Sequence, residues 1–599
     1  MSDAHMLRTK GPGALDRRRF LKGSVLGALS VGAGSSAAST ENSAEPSWDL
    51  ETEVLVVGSG AAGSCAALAA QDAGARVTLL EKASFPGGTT LKSQGIYWIP
   101  NNTQLRNLGA EDPREDALRY MARVSYPQQY DADAAKLGLP DRAYDLIAAY
   151  YDNASRVVDW LHEIGALTSS IFYPGPGHGP QLPDYYSHLP EGRDPKGGRA
   201  LAAATQRGEA VWGSGLIAQL RSVIEARGIP SLLSHRASRL VMREGRVTGL
   251  VAENASGAAI RIRVLRGVVL ATGGFTHNAE LTSNFLRGPI VGGCAMPAAE
   301  GDAIAIAGEV GAALGNMNNA WWTQVLLEEA ARNSEVGLGV FNLPGAAMIQ
   351  VNRHGRRFVS EKAPYNERTQ AQFVWDTQLG EFQNLVGIMI YDADAAWETA
   401  GAFPIPETEA SHVIRGETLA ELEAKLRQRL AKLSGHTGGI QLSQHFGKHL
   451  GETLARFAEF AEAGIDEDFH RGETPIEKYF QNFTRHPDKE YRYPNASMQP
   501  LAKQGPYYAI LLGPGVLDTK GGPVIDARGR VLDVRGEVIP GLFGAGNCIA
   551  SPAGAGYWGG GGTIGPAMTF GALAGESAAQ HEGAGGTAME PLGGSHDSL

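Results

Sequence analysis

Cysteine is scarce in this sequence of 599 residues, where its three examples stand far apart at Cys65, Cys294 and Cys548. No CxxC pair and no CxxCH motif is present, which excludes a disulfide framework, a zinc site built on paired cysteines and an attached c-type haem. We therefore predict no metal centre, and we expect the three thiols to be small buried side chains.

Positive charge is in deficit as well, with 53 lysines and arginines against 64 aspartates and glutamates. A nucleic-acid partner requires a basic face that neutralises phosphates, so the net charge of -11 predicts no such partner. Long apolar runs are also missing. The uncharged stretch over residues 23–38 is too short to span a bilayer, and we expect no transmembrane helix in the mature chain.

That short stretch follows directly on a basic cluster and ends in small residues; the two segments are Arg17-Arg18-Arg19-Phe20-Leu21-Lys22 and Ser36-Ala37-Ala38. The pattern is typical of a twin-arginine export signal, whereas a disordered basic leader explains the arginines but not the apolar run beside them. We therefore predict a signal peptide over residues 1–38, a linker over 39–50 and a protein that is periplasmic or otherwise exported.

Glycine, in contrast, is abundant at 78 residues. The turn Gly58-Ser59-Gly60-Ala61-Ala62-Gly63 follows an apolar strand at residues 53–57 and precedes an alanine-rich helix at 61–73, with a second strand at 76–81. This order predicts a Rossmann-type βαβ unit, in which Gly58 makes the tight turn, Gly60 admits a pyrophosphate and Gly63 lets the helix pack closely. Glu81, at the end of the second strand, would accept hydrogen bonds from a ribose. The motif alone leaves FAD and NAD both open.

The next segments favour FAD, because they resemble the loop with which glutathione-reductase-like flavoproteins contact pyrophosphate and flavin: Phe85-Pro86-Gly87-Gly88-Thr89-Thr90 and Ser93-Gln94-Gly95-Ile96-Tyr97-Trp98. We expect FAD to be held non-covalently. The residues expected to contact it are Gly58, Gly60, Ala61, Ala62, Gly63, Glu81, Lys82, Gly87, Gly88, Thr89, Thr90, Ser93, Gln94, Gly95, Ala271, Thr272, Gly273, Gly274, Gly546, Asn547, Thr563 and Ile564.

The rest of the chain predicts a split cofactor domain. A hairpin at 239–252, a meander strand at 260–264 and a buried strand at 268–274 precede a stretch of different composition, and a second strand-to-glycine pattern at 541–547 leads into a helix at 563–579. The predicted fold class is α/β, a Rossmann-type FAD-binding domain like that of glutathione reductase with an inserted α+β substrate or capping domain. The expected ranges are 51–325 and 519–580 for the FAD-binding domain, 326–518 for the insertion and 581–599 for a disordered tail.

The glycine-rich stretch at 554–571 resembles the C-terminal motif of the 3-ketosteroid Δ1-dehydrogenase family, and the resemblance extends over roughly residues 50–580. Its further motifs are Asp184-Tyr185-Tyr186, Asn319-Ala320-Trp321-Trp322, Arg357-Phe358-Val359-Ser360-Glu361 with Pro364-Tyr365, and Thr519-Lys520-Gly521-Gly522. The positions of Gln94, Trp558 and Ser360 differ from the glycine, proline and asparagine common in the family. The resemblance therefore implies a cyclic ketone as substrate, with a steroid as one example.

The resemblance also implies a mechanism of FAD-dependent desaturation beside the ketone. The Tyr557 hydroxyl and the Gly561 amide would bind the ketone oxygen as an oxyanion hole, and Tyr365 would be the base. Tyr185 matches the supporting tyrosine, with Tyr186 as the alternative. A tyrosine ordinarily titrates near pH 10, so this base requires a lowered pKa or a proton relay. The expected partners are a small apolar cyclic ketone and an unidentified electron acceptor, such as a quinone or a small redox protein.

Three alternatives stay open. A fumarate- or urocanate-reductase-like enzyme would place a proton-donating arginine where this chain has Tyr365, four residues after Glu361, and would add Arg and His to the final glycine region. Residues 544–571 contain neither, so a substrate carboxylate would lack its usual clamp. A Δ4-(5α)-ketosteroid dehydrogenase uses a related site, although the spacing from Tyr557 to Gly559 favours Δ1. The third alternative is an FAD-binding electron carrier without catalysis.

Overall fold

The computed structural model describes residues 47–172, 181–483 and 486–581. The predicted signal peptide, most of its linker and nearly all of the predicted tail lie outside these ranges. No helix within them is both long and apolar enough to cross a membrane.

The strands, numbered along the chain, are β1 Leu50–Val57, β2 Val77–Leu80, β3 Ile96–Trp98, β4 Ser169–Ile171, β5 Ala200–Ala203, β6 Ser231–Leu232, β7 His235–Arg243, β8 Arg246–Asn254, β9 Ala259–Leu270, β10 Gly292–Gly293, β11 Leu314–Gly315, β12 Ala320–Leu326, β13 Met348–Val351, β14 Trp375–Asp376, β15 Glu381–Phe382, β16 Gly387–Asp392, β17 Val413–Gly416, β18 Tyr507–Thr519, β19 Gly522–Pro523, β20 Arg530–Leu532 and β21 Val538–Gly544.

The α-helices are α1 Ala61–Asp72, α2 Thr103–Asn107, α3 Arg114–Ser125, α4 Asp141–Glu163, α5 Trp212–Ala226, α6 Ala279–Phe285, α7 Asp302–Gly308, α8 Leu327–Arg332, α9 Tyr365–Gln370, α10 Ala393–Glu398, α11 Leu419–Lys432, α12 Ser434–Thr437, α13 Phe446–Ala463, α14 Pro475–Phe483 and α15 Ile564–Gln580.

The first sheet has the strand order β20-β21-β9-β1-β2-β6, and β7 and β8 extend it as an antiparallel hairpin beside β9. Strand β1 runs parallel to both β2 and β9, and its residues from Val54 to Val57 are buried, which explains their unbroken apolar character. The predicted α/β fold and its βαβ unit are confirmed.

The prediction that residues 260–274 form two separate strands is wrong. The sequence suggested a meander strand at 260–264 and a separate strand at 268–274, whereas β9 is a single strand that ends at Leu270. Its first half pairs with β8 and its second half with β21, while β1 pairs along most of its length. Continuous pairing therefore carries the chain straight through the expected break.

Helices α1 and α15 cross closely on this sheet because α15 presents glycine at the contact. A Cβ atom on Gly571 would lie 2.3 Å from the Ala62 carbonyl oxygen, and one on Gly575 would lie 2.2 Å from that of Ala66. Only glycine permits such an approach of two backbones. The contact sets the position of the first turn of α15 relative to the glycine-rich turn before α1.

A second sheet, of order β10-β18-β16-β13 with β12 and β17 also paired to β18, is built from residues between Gly292 and Thr519. It falls largely within the stretch predicted as an insertion, whose exact boundaries remain a prediction. Helix α11 begins directly after Thr418, whose side chain caps its first turn.

Candidate functional site

A single cavity of about 310 Å3 runs from the turn before α1 to the glycine run before α15. Its wall includes every residue predicted to contact FAD except Gly63, Gly87 and Gly274, together with the four predicted catalytic residues. The fold therefore brings the two sets of candidates into one space.

Cys294 also lines this cavity and is only partly buried, so the expectation that all three cysteines are buried is wrong for this one.

The turn before α1 depends on glycine at two positions where backbones nearly touch. Gly58 has a φ of 107°, and a Cβ atom there would lie 2.2 Å from the Ala271 carbonyl oxygen. A Cβ atom on Gly63 would lie 1.8 Å from the Gly58 carbonyl oxygen, so Gly63 lies behind the cavity wall and closes the helix onto the turn.

Gly60 differs from these two because the chain itself leaves room beside it. Its φ of -66° suits any residue, and a Cβ atom would meet no atom closer than 3.6 Å, the Thr90 hydroxyl. A side chain at Gly60 would enter the cavity at the N-terminus of α1, where the helix dipole favours an anion. The residues present thus fit a bound pyrophosphate.

Glu81 and Lys82 follow β2 on the same wall. The Glu81 carboxylate accepts hydrogen bonds from the Ser59 amide at 3.0 Å and the Ala83 amide at 2.8 Å, which fix it beside the glycine turn. The Lys82 ammonium forms ion pairs with Glu300 and with Asp302. Glu81 is therefore oriented by the backbone with acceptor capacity to spare, while the Lys82 charge is already neutralised.

Asp518 is a lining residue that the sequence did not single out. Its carboxylate accepts hydrogen bonds from the Gly274 amide at 3.0 Å, the Thr276 hydroxyl at 2.8 Å and the Asn547 side chain at 3.0 Å. Burial raises its pKa, and these donors oppose that shift. Gly274 and Asn547, both predicted cofactor residues, are thus joined through Asp518, a link that only the fold creates.

Three tyrosine rings meet at the opposite end of the cavity. The Tyr185 hydroxyl donates a hydrogen bond to the Tyr365 hydroxyl at 2.8 Å, and the ring centroids of Tyr557 lie 5.3 Å and 5.6 Å from those of Tyr185 and Tyr365. All three side chains are buried. The sequence distributes these tyrosines over 372 positions, and the fold gathers them into one cluster.

Burial governs the acidity of this cluster. It raises the pKa of Tyr365 and of Tyr185 well above 10, and it raises the pKa of Tyr557 as well. The neutral phenol is the resting form of each, which suits Tyr557 as a hydrogen-bond donor. For Tyr365 the lowered pKa that a free base would need is not found in this structure, which leaves the hydroxyl of Tyr185 as the available relay partner.

Gly561 lies beside Tyr557 in a conformation that glycine alone adopts easily, with a φ of 91°. Its carbonyl oxygen accepts a hydrogen bond from the Trp98 amide at 3.0 Å, which fixes the loop against β3. No described residue accepts a hydrogen bond from the Gly561 amide, and the residue lines the cavity. The Gly561 amide therefore has no partner within the described chain, and Tyr557 lines the same cavity.

The structure separates Tyr185 from Tyr186. The Tyr186 hydroxyl donates to the Glu367 carboxylate and Tyr186 does not line the cavity. The residue before them, Asp184, forms a buried ion pair with Arg199 and accepts a hydrogen bond from the Trp98 indole at 2.6 Å. Asp184 thereby ties the segment that carries Tyr185 to the strand that holds Gly561.

The space around the tyrosines, termed here the substrate end, is apolar. Its other walls are Phe172, Leu182, Leu338, Phe341, Tyr479 and Phe480. Sequence reasoning missed these side chains, because nothing in the local pattern distinguishes them from ordinary core residues. The charged residues that line the cavity have no described contact with the three tyrosines; they are Glu81, Lys82, Lys92, Asp302 and Asp518.

Comparison with known proteins gives a family match over residues 53–564 to the FAD binding domain. Among curated proteins, a 4-oxocyclohexanecarboxylate 2-dehydrogenase of Sinomonas cyclohexanicum is 33% identical, over 88% of this chain and 92% of its own. A 3-oxosteroid 1-dehydrogenase of Mycolicibacterium smegmatis is 32% identical, over 88% of this chain and 96% of its own.

Among solved structures, the 3-ketosteroid Δ1-dehydrogenase from Sterolibacterium denitrificans, in complex with 1,4-androstadiene-3,17-dione, is similar with a TM-score of 0.71. The two chains are 25% identical, and the match covers 88% of this chain and 99% of the other.

Proposed function

The chain belongs to the FAD binding domain family, and from that premise we propose that it desaturates a neutral cyclic ketone beside the carbonyl, with a 3-ketosteroid as the leading candidate and the Δ1 bond as the site. FAD is the cofactor of this chain. We propose that it is bound without a covalent link, and it supplies the group that accepts a hydride from the β-carbon.

Tyr557 and Gly561 are proposed to bind the ketone oxygen. The buried phenol is neutral and its hydroxyl is a donor, and the Gly561 amide has no described acceptor. Two donors at one oxygen stabilise the charge that grows there as the α-proton leaves, and the low dielectric of a buried site strengthens both hydrogen bonds.

Tyr365 is proposed to take the α-proton. Its hydroxyl accepts a hydrogen bond from Tyr185, and a hydrogen-bonded pair of phenols spreads the charge of a tyrosinate over two oxygens. The helix that begins at Tyr365 orients this phenol towards Tyr557, since the two rings meet edge to face at 85°.

The observation that carries this proposal is the chemistry of the substrate end: three clustered phenols surrounded by apolar side chains, with no charged lining residue in described contact with the phenols. A carboxylate substrate would lose its hydration there and gain no charged partner, which costs several kcal/mol. A neutral ketone needs only hydrogen-bond donors at its oxygen. The curated relative named for 4-oxocyclohexanecarboxylate acts on an acid, so we propose that the two proteins differ in substrate charge.

Purified holoenzyme would be mixed anaerobically with a 3-ketosteroid, a neutral 4-alkylcyclohexanone, 4-oxocyclohexanecarboxylate or succinate, and flavin bleaching would be followed by stopped flow. We expect the neutral ketones to bleach the flavin and the two acids to act far more slowly. Rapid reoxidation of the reduced enzyme by fumarate, with no bleaching by any ketone, would instead establish a fumarate-reductase-like activity.

We also propose that the protein is exported and that an external acceptor, a quinone or a small redox protein, reoxidises the flavin. The support for export is the basic cluster and the apolar run before residue 39, which lie outside the described residues. Fusing residues 1–50 to a reporter that is active only after twin-arginine export would test it. Replacement of Arg17, Arg18 and Arg19 by lysine should abolish export, and unimpaired export of that variant would contradict the proposal.

A further inference from the structure

A buried lysine lies directly behind Tyr557. Lys520 follows β18, and its ammonium donates a hydrogen bond to the Gly556 carbonyl oxygen at 2.6 Å. That carbonyl belongs to the peptide bond that leads into Tyr557. The side chain is buried, and it forms no ion pair with any described carboxylate. An unpaired buried ammonium is costly, so its placement calls for a function.

The same ammonium reaches Tyr557 by a second route. It lies 4.2 Å from the centroid of the Trp321 ring, a distance typical of a cation–π contact. The Trp321 ring in turn lies 4.8 Å from that of Tyr557, and its indole N–H donates to Asn547 at 3.0 Å. Lys520 thus holds the backbone before Tyr557 and one of the rings that contacts its phenol.

Tyr557 is anchored on one side by Trp558, whose buried indole N–H donates to the Ser125 hydroxyl at 2.8 Å. On its other side stands Gly556, which has no side chain, and the Lys520 ammonium is the described donor to the carbonyl there. A hydrogen-bond donor to an oxyanion loses much of its effect when it is displaced by about 1 Å. The other described contacts of the phenol are the rings of Tyr185 and Tyr365 and a long hydrogen bond of 3.4 Å donated by Thr563.

We propose that Lys520 is a positioning residue for Tyr557 and that its ammonium, through the Gly556 carbonyl and the Trp321 ring, sets the rate of ketone desaturation. This inference rests on the proposed function. It makes Lys520 a group that acts through Tyr557 and never touches the substrate.

The charge of Lys520 is itself adjustable near neutral pH. Burial lowers the pKa of Lys520 to about 7; the carboxylate of Glu367 opposes this shift and the guanidinium of Arg287 adds to it. Asp518, two residues earlier, already accepts four hydrogen bonds. The ammonium therefore prevails below about pH 7, and above it the neutral amine loses the cation–π contact and donates more weakly.

The test compares the holoenzyme with Lys520→Met, which removes the charge, and Lys520→Arg, which keeps it at all accessible pH values. Lys520→Met should lower the rate of flavin reduction per bound FAD by about tenfold or more, with a smaller effect on KM. When the rate of flavin reduction is plotted against pH, the wild-type curve should bend downward near pH 7. This bend should be absent from the curves of both variants. An unchanged rate and pH profile in Lys520→Met would overturn the proposal.

Lys362→Met is the matched control, because Lys362 is also a buried lysine that donates only to carbonyl oxygens, those of Leu343 and Gly345. It makes no described contact with the three tyrosines. The pH profile of flavin reduction in Lys362→Met should keep its bend near pH 7, whatever effect this substitution has on stability. Loss of the bend in Lys362→Met would assign it to some other group and contradict the role of Lys520.

A readout without substrate separates failure of this inference from failure of the proposed function. Because the ammonium lies over the Trp321 ring, the tryptophan fluorescence of the holoenzyme should titrate near pH 7, and Lys520→Met and Trp321→Phe should each abolish that step. A titration that survives in Lys520→Met contradicts the inference even if ketones reduce the flavin. A titration that depends on Lys520 supports the contact between Lys520 and Trp321 even if no ketone reduces the flavin.

Discussion

The hydroxyl of Tyr185 donates a hydrogen bond to the hydroxyl of Tyr365 at 2.8 Å, and the two rings stand nearly perpendicular, at 79°. The adjacent Tyr186 turns away and donates to Glu367. Neighbours in sequence therefore have different environments, and only Tyr185 is placed to act on the proposed base.

Replacing these two tyrosines separately tests that assignment. Tyr185→Phe should lower the rate of flavin reduction by about tenfold or more, because it removes the hydrogen bond that supports a tyrosinate at Tyr365. Tyr186→Phe should change the rate less, although it leaves the buried Glu367 carboxylate with one donor fewer and lowers stability. Stopped-flow reduction by a 3-ketosteroid measures the first effect and thermal unfolding the second. The reverse ranking of rates would exchange the two roles.

Tyr557→Phe removes one donor from the proposed oxyanion hole while keeping the ring that packs on Trp321. We expect turnover to fall by about a hundredfold, the usual cost of losing one such donor, with FAD content unchanged. Steady-state kinetics with a dye acceptor would measure the fall. The control is Tyr126→Phe, whose hydroxyl lies in a long hydrogen bond to the Pro552 carbonyl and outside the cavity wall. Equal rates in Tyr557→Phe and wild type would refute the oxyanion role.

The pH dependence of flavin reduction reports on Tyr365. Because burial raises the pKa of Tyr365 well above 10, its tyrosinate fraction increases about tenfold for each pH unit throughout the accessible range. Below about pH 7, before the bend assigned to Lys520, reduction should therefore accelerate with pH, and in Lys520→Arg the acceleration should continue to about pH 9 without a plateau. Tyr365→Phe should be nearly inactive and should lose the slope. A pH-independent rate in the wild type would exclude Tyr365 as the base.

The sequence was sufficient to predict the strand, the glycine turn and the helix that form one end of the cavity, because their signals are local. Gly58, Gly60 and Gly63 stand within six residues, between a strand and a helix whose patterns are clear. The same was true of the helix after Thr563. Where pairing crosses between distant segments the prediction was incomplete, as in β9, which the structure shows as one strand.

The substrate half could not be derived from local pattern. Phe172, Phe341 and Phe480 come from three separate regions, and each would pass for a core residue until the fold places it in the cavity wall. The tyrosines themselves were named only through a family resemblance. The roles of Asp518 and Lys520 likewise follow only from their contacts in the fold. Asp518 accepts a hydrogen bond from Asn547, and Lys520 donates one to the Gly556 carbonyl.

Two glycines of the turn before α1 should respond differently to substitution. Gly60→Val adds a side chain in open space at an ordinary φ, so the protein should fold normally but retain much less FAD, since the added atoms enter the cavity. Gly63→Ala places a Cβ atom 1.8 Å from the Gly58 carbonyl oxygen and should destabilise the fold itself. Flavin absorbance per protein and circular dichroism separate the outcomes. Full FAD content in Gly60→Val would contradict a pyrophosphate at this position.

Acid stability should depend on Glu361, which is buried between Arg357 and Arg471. Burial alone would raise its pKa, but the two guanidinium groups prevail and lower it to about 2. A carboxyl whose pKa is lowered by folding stabilises the protein above its unfolded pKa, and that contribution, about 3 kcal/mol here, is lost as the pH falls from about 5 towards 2. Glu361→Gln should therefore unfold more easily at neutral pH and show a shallower loss of stability in acid. Glu452→Gln, at an exposed pair with Arg356, should change neither measurement appreciably. If urea unfolding gave Glu361→Gln the same acid dependence as the wild type, some other buried carboxyl would control it.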